Sequence, residues 1–220
     1  MYLTRMHLNP ARRGTRSLLG SPQRMHAAVL CSFPPTNTEG KGRVLWRVDG
    51  EAHELMLYVS SPTRPDLTHL VEQAGWPTAP DPWQTASLDP LFDRLASGQH
   101  WAFRLTANPV RSVLEPGKSR GKRYAHVTVA QQLDWLASRS SGWGFSISDT
   151  ARPTAEVIAR RTVSFDRRSD GHRRQVTVAT ATFQGTLEVT DAPALAEAMR
   201  EGMGRAKGYG CGLLTLAPRT

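Results

Sequence analysis

The order in which the hydrophobic period changes along the chain constrains its fold more than any other feature. Tyr2–Leu8 (YLTRMHL) alternates apolar and polar residues, the period of a half-buried strand. An arginine-rich, polar connection runs from Asn9 to Gly20. Ser21-Pro22 then opens a helix, because serine can cap free backbone amides and proline is preorganised for the first helical position. That helix carries QRMHAAVLCSF and stops before Pro34-Pro35. Arg43–Asp49 and Glu54–Ser60 read as two strands joined around Gly50, and a helix from about Pro65 to Ala74 ends at Gly75. The proline-dense stretch from Trp76 to Pro90 lacks a period, has room for a short strand at Trp83–Ser87, and ends at the link between two units, 1–95 and 96–220.

After this link the pattern restarts. His100–Val110 is a strand, followed by a basic loop with Lys118, Arg120, Lys122 and Arg123. VTVAQQLDWLASRSS is a helix capped by Thr128, with Val129, Leu133 and Leu136 at helical spacing. Strands around Glu156–Phe165 and Gln175–Val189 flank the charged tip DRRSDGHRR, where Asp170-Gly171 signals a turn. Asp191-Ala-Pro opens a helix over Leu195–Glu201, and GLLTLA is a final strand. Both halves therefore read β-α-β-β-α-β, which predicts an α+β protein made of two tandem ferredoxin-like domains. Trp46, Phe103 and Trp135 fall on apolar periods and are expected in the cores; Tyr124 and Tyr209 lie between basic residues, as base-stacking rings would.

Charge is distributed unevenly. The 220 residues carry a net charge of +9; residues 1–50 hold +6 and 101–150 hold +4, whereas 51–100 hold −5. Concentrated cationic segments point to a polyanion, and nucleic acid is the expected partner. The acidic 51–100 segment would repel RNA and is the expected surface for other protein subunits. No apolar run approaches the ~18–20 residues of a membrane span, and MYLTRMHLNPARRG lacks the apolar region of a signal peptide, so no membrane partner and a cytoplasmic location are expected. Cys31 and Cys211 stand far apart and outside any CxxC pair, and His53, His69, His100, His126 and His172 show no ligand spacing. The expectation is chemistry from side chains alone, with no metal and no cofactor. No helix-turn-helix, zinc-finger or basic-zipper pattern supports a DNA-binding regulator.

The segment GMGRAKGYGCG contains Gly202, Gly204, Gly208, Gly210 and Gly212, interleaved with Arg205 and Lys207. Glycine lets a backbone approach a phosphate, and the two cations would neutralise it. The other reading is a connection that needs positive φ angles. The segment has no GK[ST], so it is not a nucleotide-triphosphate loop.

This loop, together with a helix-borne histidine after the first strand, resembles the CasE family of CRISPR-associated endoribonucleases of the type I-E system. The resemblance runs through YLTRMHLNP, the helix with His26, RLTANPV, KRYAHVTVAQQLDWL, VTVATATFQGTLEVTD and GMGRAKGYGCGLLTLAP. It implies two ferredoxin-like domains and cleavage of CRISPR precursor RNA at the base of a repeat stem-loop. It further implies a product retained in a surveillance complex with other subunits, and His26 as catalytic residue. Metal-free cleavage by the neighbouring 2′-hydroxyl leaves a 2′,3′-cyclic phosphate and a 5′-hydroxyl. The step needs one proton removed and one delivered, and an imidazole with pKa near ~6.5 can do either.

The sequence departs from the family pattern at Gln23, one helical turn before His26, where some members carry tyrosine. Glutamine can orient an oxygen but cannot transfer a proton, so the second proton-handling group stays open. Gln23 and Arg24, with Arg12 and Arg13, are candidates to support charge on the phosphate. Arg160 and Arg161 lie where the resemblance places contacts with the RNA stem, and the arginine fork suits phosphates and guanine edges. Arg205, Lys207, Lys118 and Lys122 complete the expected RNA-binding set; the tip arginines Arg167, Arg168, Arg173 and Arg174 fit backbone contact and edge protection equally. The alternative function is a non-catalytic RNA-binding subunit of a ribonucleoprotein.

Overall fold

The computed structural model describes residues 1–34, 42–51, 54–114, 117, 121–148, 154–169 and 172–219. It is built on two antiparallel sheets, each covered by helices. In the first half β1 (Tyr2–Leu8) leads into α1 (Arg13–Leu19) and α2 (Pro22–Leu30). These are followed by β2 (Leu45–Glu51), β3 (Glu54–Ser61), α3 (Thr68–Ala74) and β4 (Trp83–Ser87). The strand order is β2-β3-β1-β4, with every neighbouring pair antiparallel. The alternation read in β1 is real: Thr4, Met6 and Leu8 are buried, whereas Arg5 and His7 between them are exposed. Met6 and Leu8 join Leu18, Met25, Val29, Trp46, Leu57 and Leu70 in one core, where each fully buried large side chain contributes about 1.5–3 kcal/mol.

The second half opens with the single-turn α4 (Asp89–Phe92) and continues with β5 (His100–Ala107), β6 (Val110–Val113), β7 (Lys122–Ala125) and α5 (Val129–Ser140). The short β8 (Phe145–Ser146), the long β9 (Ala155–Ser169) and β10 (His172–Val189), α6 (Ala192–Glu201) and β11 (Leu214–Pro218) complete it. β11, β5 and β10 pair in that order, and β9 and β8 share the far edge of β10. Its core holds Phe103, Leu105, Trp135, Leu136, Phe145, Phe183 and Leu195. Trp46, Phe103 and Trp135 are all buried, as expected from their periods.

Four details differ from the sequence reading. The Asn9–Gly20 connection contains α1, because Leu18 is buried, Thr15 Oγ1 donates to Ala74 O (2.9 Å) and Gly14 packs on the Gln73 backbone. Its arginine, serine and glycine content hid a short helix that tertiary contacts hold. The side chain of Ser21 makes no cap hydrogen bond, and α2 starts on Pro22 alone. The strand expected over His100–Val110 breaks at Asn108-Pro109, since proline cannot continue a ladder; Val110 starts a separate hairpin with β7, so Lys122 and Arg123 sit on a strand. Val129 begins α5 as expected but is exposed rather than packed. The other helix starts hold: Thr128 and Gln131 form a reciprocal capping box, and Asp191 accepts from Ala194 N at 2.9 Å.

Arg47 of β2 joins the halves. Its guanidinium pairs with Asp49 through two 2.7 Å hydrogen bonds and donates to Arg104 O (2.8 Å), Leu213 O (2.9 Å) and Thr215 Oγ1 (2.9 Å). All five N–H groups are used, which is how a fully buried arginine is tolerated.

Candidate active site

α2 presents its apolar face, Met25 and Val29, to the first core and carries His26 on the adjoining face, half-buried. The segment between α6 and β11 closes over that face. Gly202, Gly204, Gly210 and Gly212 have positive φ, so much of the glycine content serves the turn. Gly208 has no such backbone need and is held to glycine by space. A methyl group there would stand 3.2 Å from His26 Nε2 and 3.3 Å from its Cδ2. At Gly210 a methyl group would stand 2.8 Å from the Trp46 ring.

The cleft beside this contact has a volume of about 470 Å³. It is lined by His26, Gly208 and four cations drawn from distant parts of the chain: Arg43 before β2, Arg123 of β7, and Arg205 and Lys207 of the glycine-rich loop. Ala206, between the two loop cations, adopts a left-handed conformation (φ 60°), which costs a side-chain-bearing residue about 1–2 kcal/mol. Burial holds the His26 imidazole below its ordinary pKa. Its Nδ1 is buried without a hydrogen-bond partner among the described residues, so a second ring proton would find no acceptor. Burial thereby favours the neutral ring, the form that can accept a proton. Burial, and the charge of Arg43, hold the Lys207 ammonium below the usual lysine value, with Glu201 opposing.

The cleft thus gathers His26, Arg205 and Lys207 from the residues expected from sequence, and leaves others elsewhere. Gln23 and Arg24 line a separate cavity of about 640 Å³ on the next face of α2, with Arg16, Ser17, Phe165 and Asp166. Arg24 donates there to Ser17 Oγ (3.2 Å), and Gln23 Oε1 is buried with no partner among the described residues. Arg12 donates to Glu72 O at the end of α3, and Arg13 is exposed on α1. Arg160 and Arg161 leave β9 on opposite faces: Arg160 Nη1 donates to Val127 O (3.1 Å) and Arg161 Nη2 to Leu19 O (3.2 Å). Lys122 is exposed on β7, with Nζ 5.4 Å from the centre of the Tyr124 ring. Tyr209 packs edge-on against Phe165 (4.9 Å) rather than standing free. Lys118 and Arg120 lie outside the described residues. Sequence reasoning did not single out Arg43, which sits alone before a strand with no motif around it; Arg123 was seen only as one charge of a basic loop.

The sequence matches the protein family described as CRISPR associated protein over residues 1–218. The chain belongs to the CasE family of CRISPR-associated proteins. It is 32% identical to the CRISPR-associated endoribonuclease Cse3 of Thermus thermophilus, over 99% of this chain and 100% of that one. It is 30% identical to the CRISPR system Cascade subunit CasE of Escherichia coli, over 76% of this chain and 83% of that protein. The fold superposes on a structure of CRISPR endoribonuclease Cse3 bound to a 19-nucleotide RNA with a TM-score of 0.79, at 30% identity and 99% coverage of both chains. The family resemblance carried by the sequence motifs is therefore borne out. Among the described residues no group of His, Cys, Asp and Glu could hold a metal ion, and no helix is long and apolar enough to cross a membrane.

Proposed function

We propose that this CasE-family chain is an endoribonuclease that cuts CRISPR precursor RNA at the base of the repeat stem-loop, using His26 and no metal ion. The observation that carries this reading is the half-buried imidazole of His26 beside Gly208, opening on a cleft with four cations. His26 takes the proton of the 2′-hydroxyl next to the scissile phosphate. The oxygen so activated attacks phosphorus, giving a 2′,3′-cyclic phosphate and a 5′-hydroxyl. The cations stabilise the additional charge on the phosphate. Gly208 lets the loop close against the ring and hold it at the cleft wall.

Arg160, Arg161 and the β6–β7 hairpin with Lys122 supply phosphate contacts to the stem. Arg12, at the N-cap of α1, and Arg13, on α1, add phosphate contacts. The product stays bound, and the protein acts in the cytoplasm as a subunit of a CRISPR surveillance complex; the Escherichia coli relative is named a CRISPR system Cascade subunit. The strand orders of the two sheets fit a pair of ferredoxin-like units. We draw their junction at Leu88, because Leu91, Phe92 and Leu95 pack on the second core. The test compares wild type with His26→Ala on a labelled hairpin repeat RNA in EDTA, assaying binding and cleavage in parallel. Wild-type cutting with a mutant that binds equally and does not cut supports the reading. Binding by both with cutting by neither would make the chain a structural RNA binder.

A further inference from the structure

We propose that Lys207 is the general acid of this reaction, donating a proton from Nζ to the departing 5′-oxygen while His26 accepts the proton of the 2′-hydroxyl. This role rests on the cleavage chemistry assigned above and supplies the group that Gln23 cannot. Gln23 lines a different cavity and carries an amide with no transferable proton near neutral pH. The four cations of the cleft are not equivalent. Arg43, Arg123 and Arg205 are exposed guanidiniums, groups that serve as fixed charge rather than as proton donors. Lys207 is the one amine among them, and it is partly withdrawn from water. Among the described residues its ammonium makes no hydrogen bond or ion pair.

Backbone geometry fixes Lys207 relative to the histidine. The residue directly after it, Gly208, makes the contact with the His26 ring, and the residue directly before it, Ala206, holds the left-handed turn. Loop and helix thereby keep an amine and an imidazole on the walls of one cleft. An acid and a base on either side of an in-line displacement is the arrangement the chemistry requires. The environment agrees: desolvation and the Arg43 charge loosen the ammonium's hold on its proton, Glu201 opposes them, and a weaker hold makes a better proton donor near neutral pH.

In this step a bond forms between the 2′-oxygen and phosphorus, and the bond from phosphorus to the 5′-oxygen breaks with its electron pair. One proton passes from the 2′-hydroxyl to His26 and one from Lys207 to the 5′-oxygen. The enzyme is left with an imidazolium and a neutral amine, which exchange with solvent to restore the starting state.

The test uses the full-length protein, a hairpin repeat RNA, and the same RNA with a bridging 5′-sulfur at the cut, since a thiolate leaves without needing a proton. With Lys207→Met, single-turnover cleavage of the oxygen substrate should fall by roughly 100-fold or more. Cleavage of the sulfur substrate should fall far less, by no more than the loss of one of the four phosphate-stabilising cations. Lys207→Arg, which keeps the charge and guards against a folding defect, should show the same split. Binding of a 2′-deoxy, uncleavable RNA reports the integrity of both variants. An equal loss on both substrates, or no loss on the oxygen substrate, would overturn the assignment. His26→Ala should be slow on both substrates; wild-type rates in that variant would instead remove the cleavage mechanism on which the inference rests.

Discussion

Replacing Arg47 by methionine should cost the protein more stability than any surface arginine substitution. The side chain is 2% exposed and its five N–H groups meet Asp49, two carbonyls from the second half and Thr215. Methionine matches the length of the aliphatic stem but leaves Asp49, 9% exposed, with only Arg104 Nη1 at 3.5 Å. Leu213 O also loses its Arg47 donor. Breaking a buried ion pair from one side costs about 3–5 kcal/mol, which for a chain of this size corresponds to a fall of roughly 6–20 °C in Tm. Because the partners lie on β5 and β11 of the other half, the loss should appear as early separation of the halves, seen as a broadened urea transition. The double variant Arg47→Met/Asp49→Leu removes both charges and should recover much of the loss. A loss of less than about 1 kcal/mol in Arg47→Met, or a double variant as unstable as the single one, would refute this role for Arg47.

Gly210→Ala places a methyl group 2.8 Å from the Trp46 ring on a residue with φ of +81°, so strain and overpacking together should cost about 2–5 kcal/mol in chemical denaturation. Gly208→Ala crowds His26 Nε2 at 3.2 Å; RNA binding by gel shift should survive while the cleavage rate drops. The apparent second-order rate constant for cleavage, which reports the free enzyme, should rise with pH through an inflection below the ordinary histidine value, because burial lowers the His26 pKa and the neutral ring is the base. It should then fall in the alkaline range below the ordinary lysine value, and Lys207→Met should remove that descent. Thr128→Ala breaks the capping box of α5 and should destabilise by about 0.5–2 kcal/mol in the same denaturation assay, with cleavage unchanged.

Much of the fold was legible because local rules and tertiary packing agree. Alternation in β1, β5 and β10, the Asp191 and Thr128 caps, and the prolines around Trp83–Ser87 each act over a few residues, so neighbours along the chain are enough to reveal them. Where a contact from elsewhere decides the local structure, the sequence misled. α1 forms because Thr15 reaches Ala74 O and Gly14 meets the Gln73 backbone, and Ser21 is left out of the cap that its type suggests.

For the site, the chain alone specified a histidine on the helix after the first strand and a glycine-rich cationic loop before the last one. The identity of both residue sets, and their resemblance to the CasE family, can be read without any coordinates. Folding chose which charges share a space with His26. Arg43, Arg123 and Lys207 are separated by about 80 residues at each step, and nothing in a linear reading ties them to one cleft. Folding also set apart neighbours that sequence proximity joined: Gln23 and Arg24 sit within three residues of His26, yet both line another cavity. Protonation follows the same division, because an imidazole's charge depends on burial and on acceptors that the fold brings or withholds.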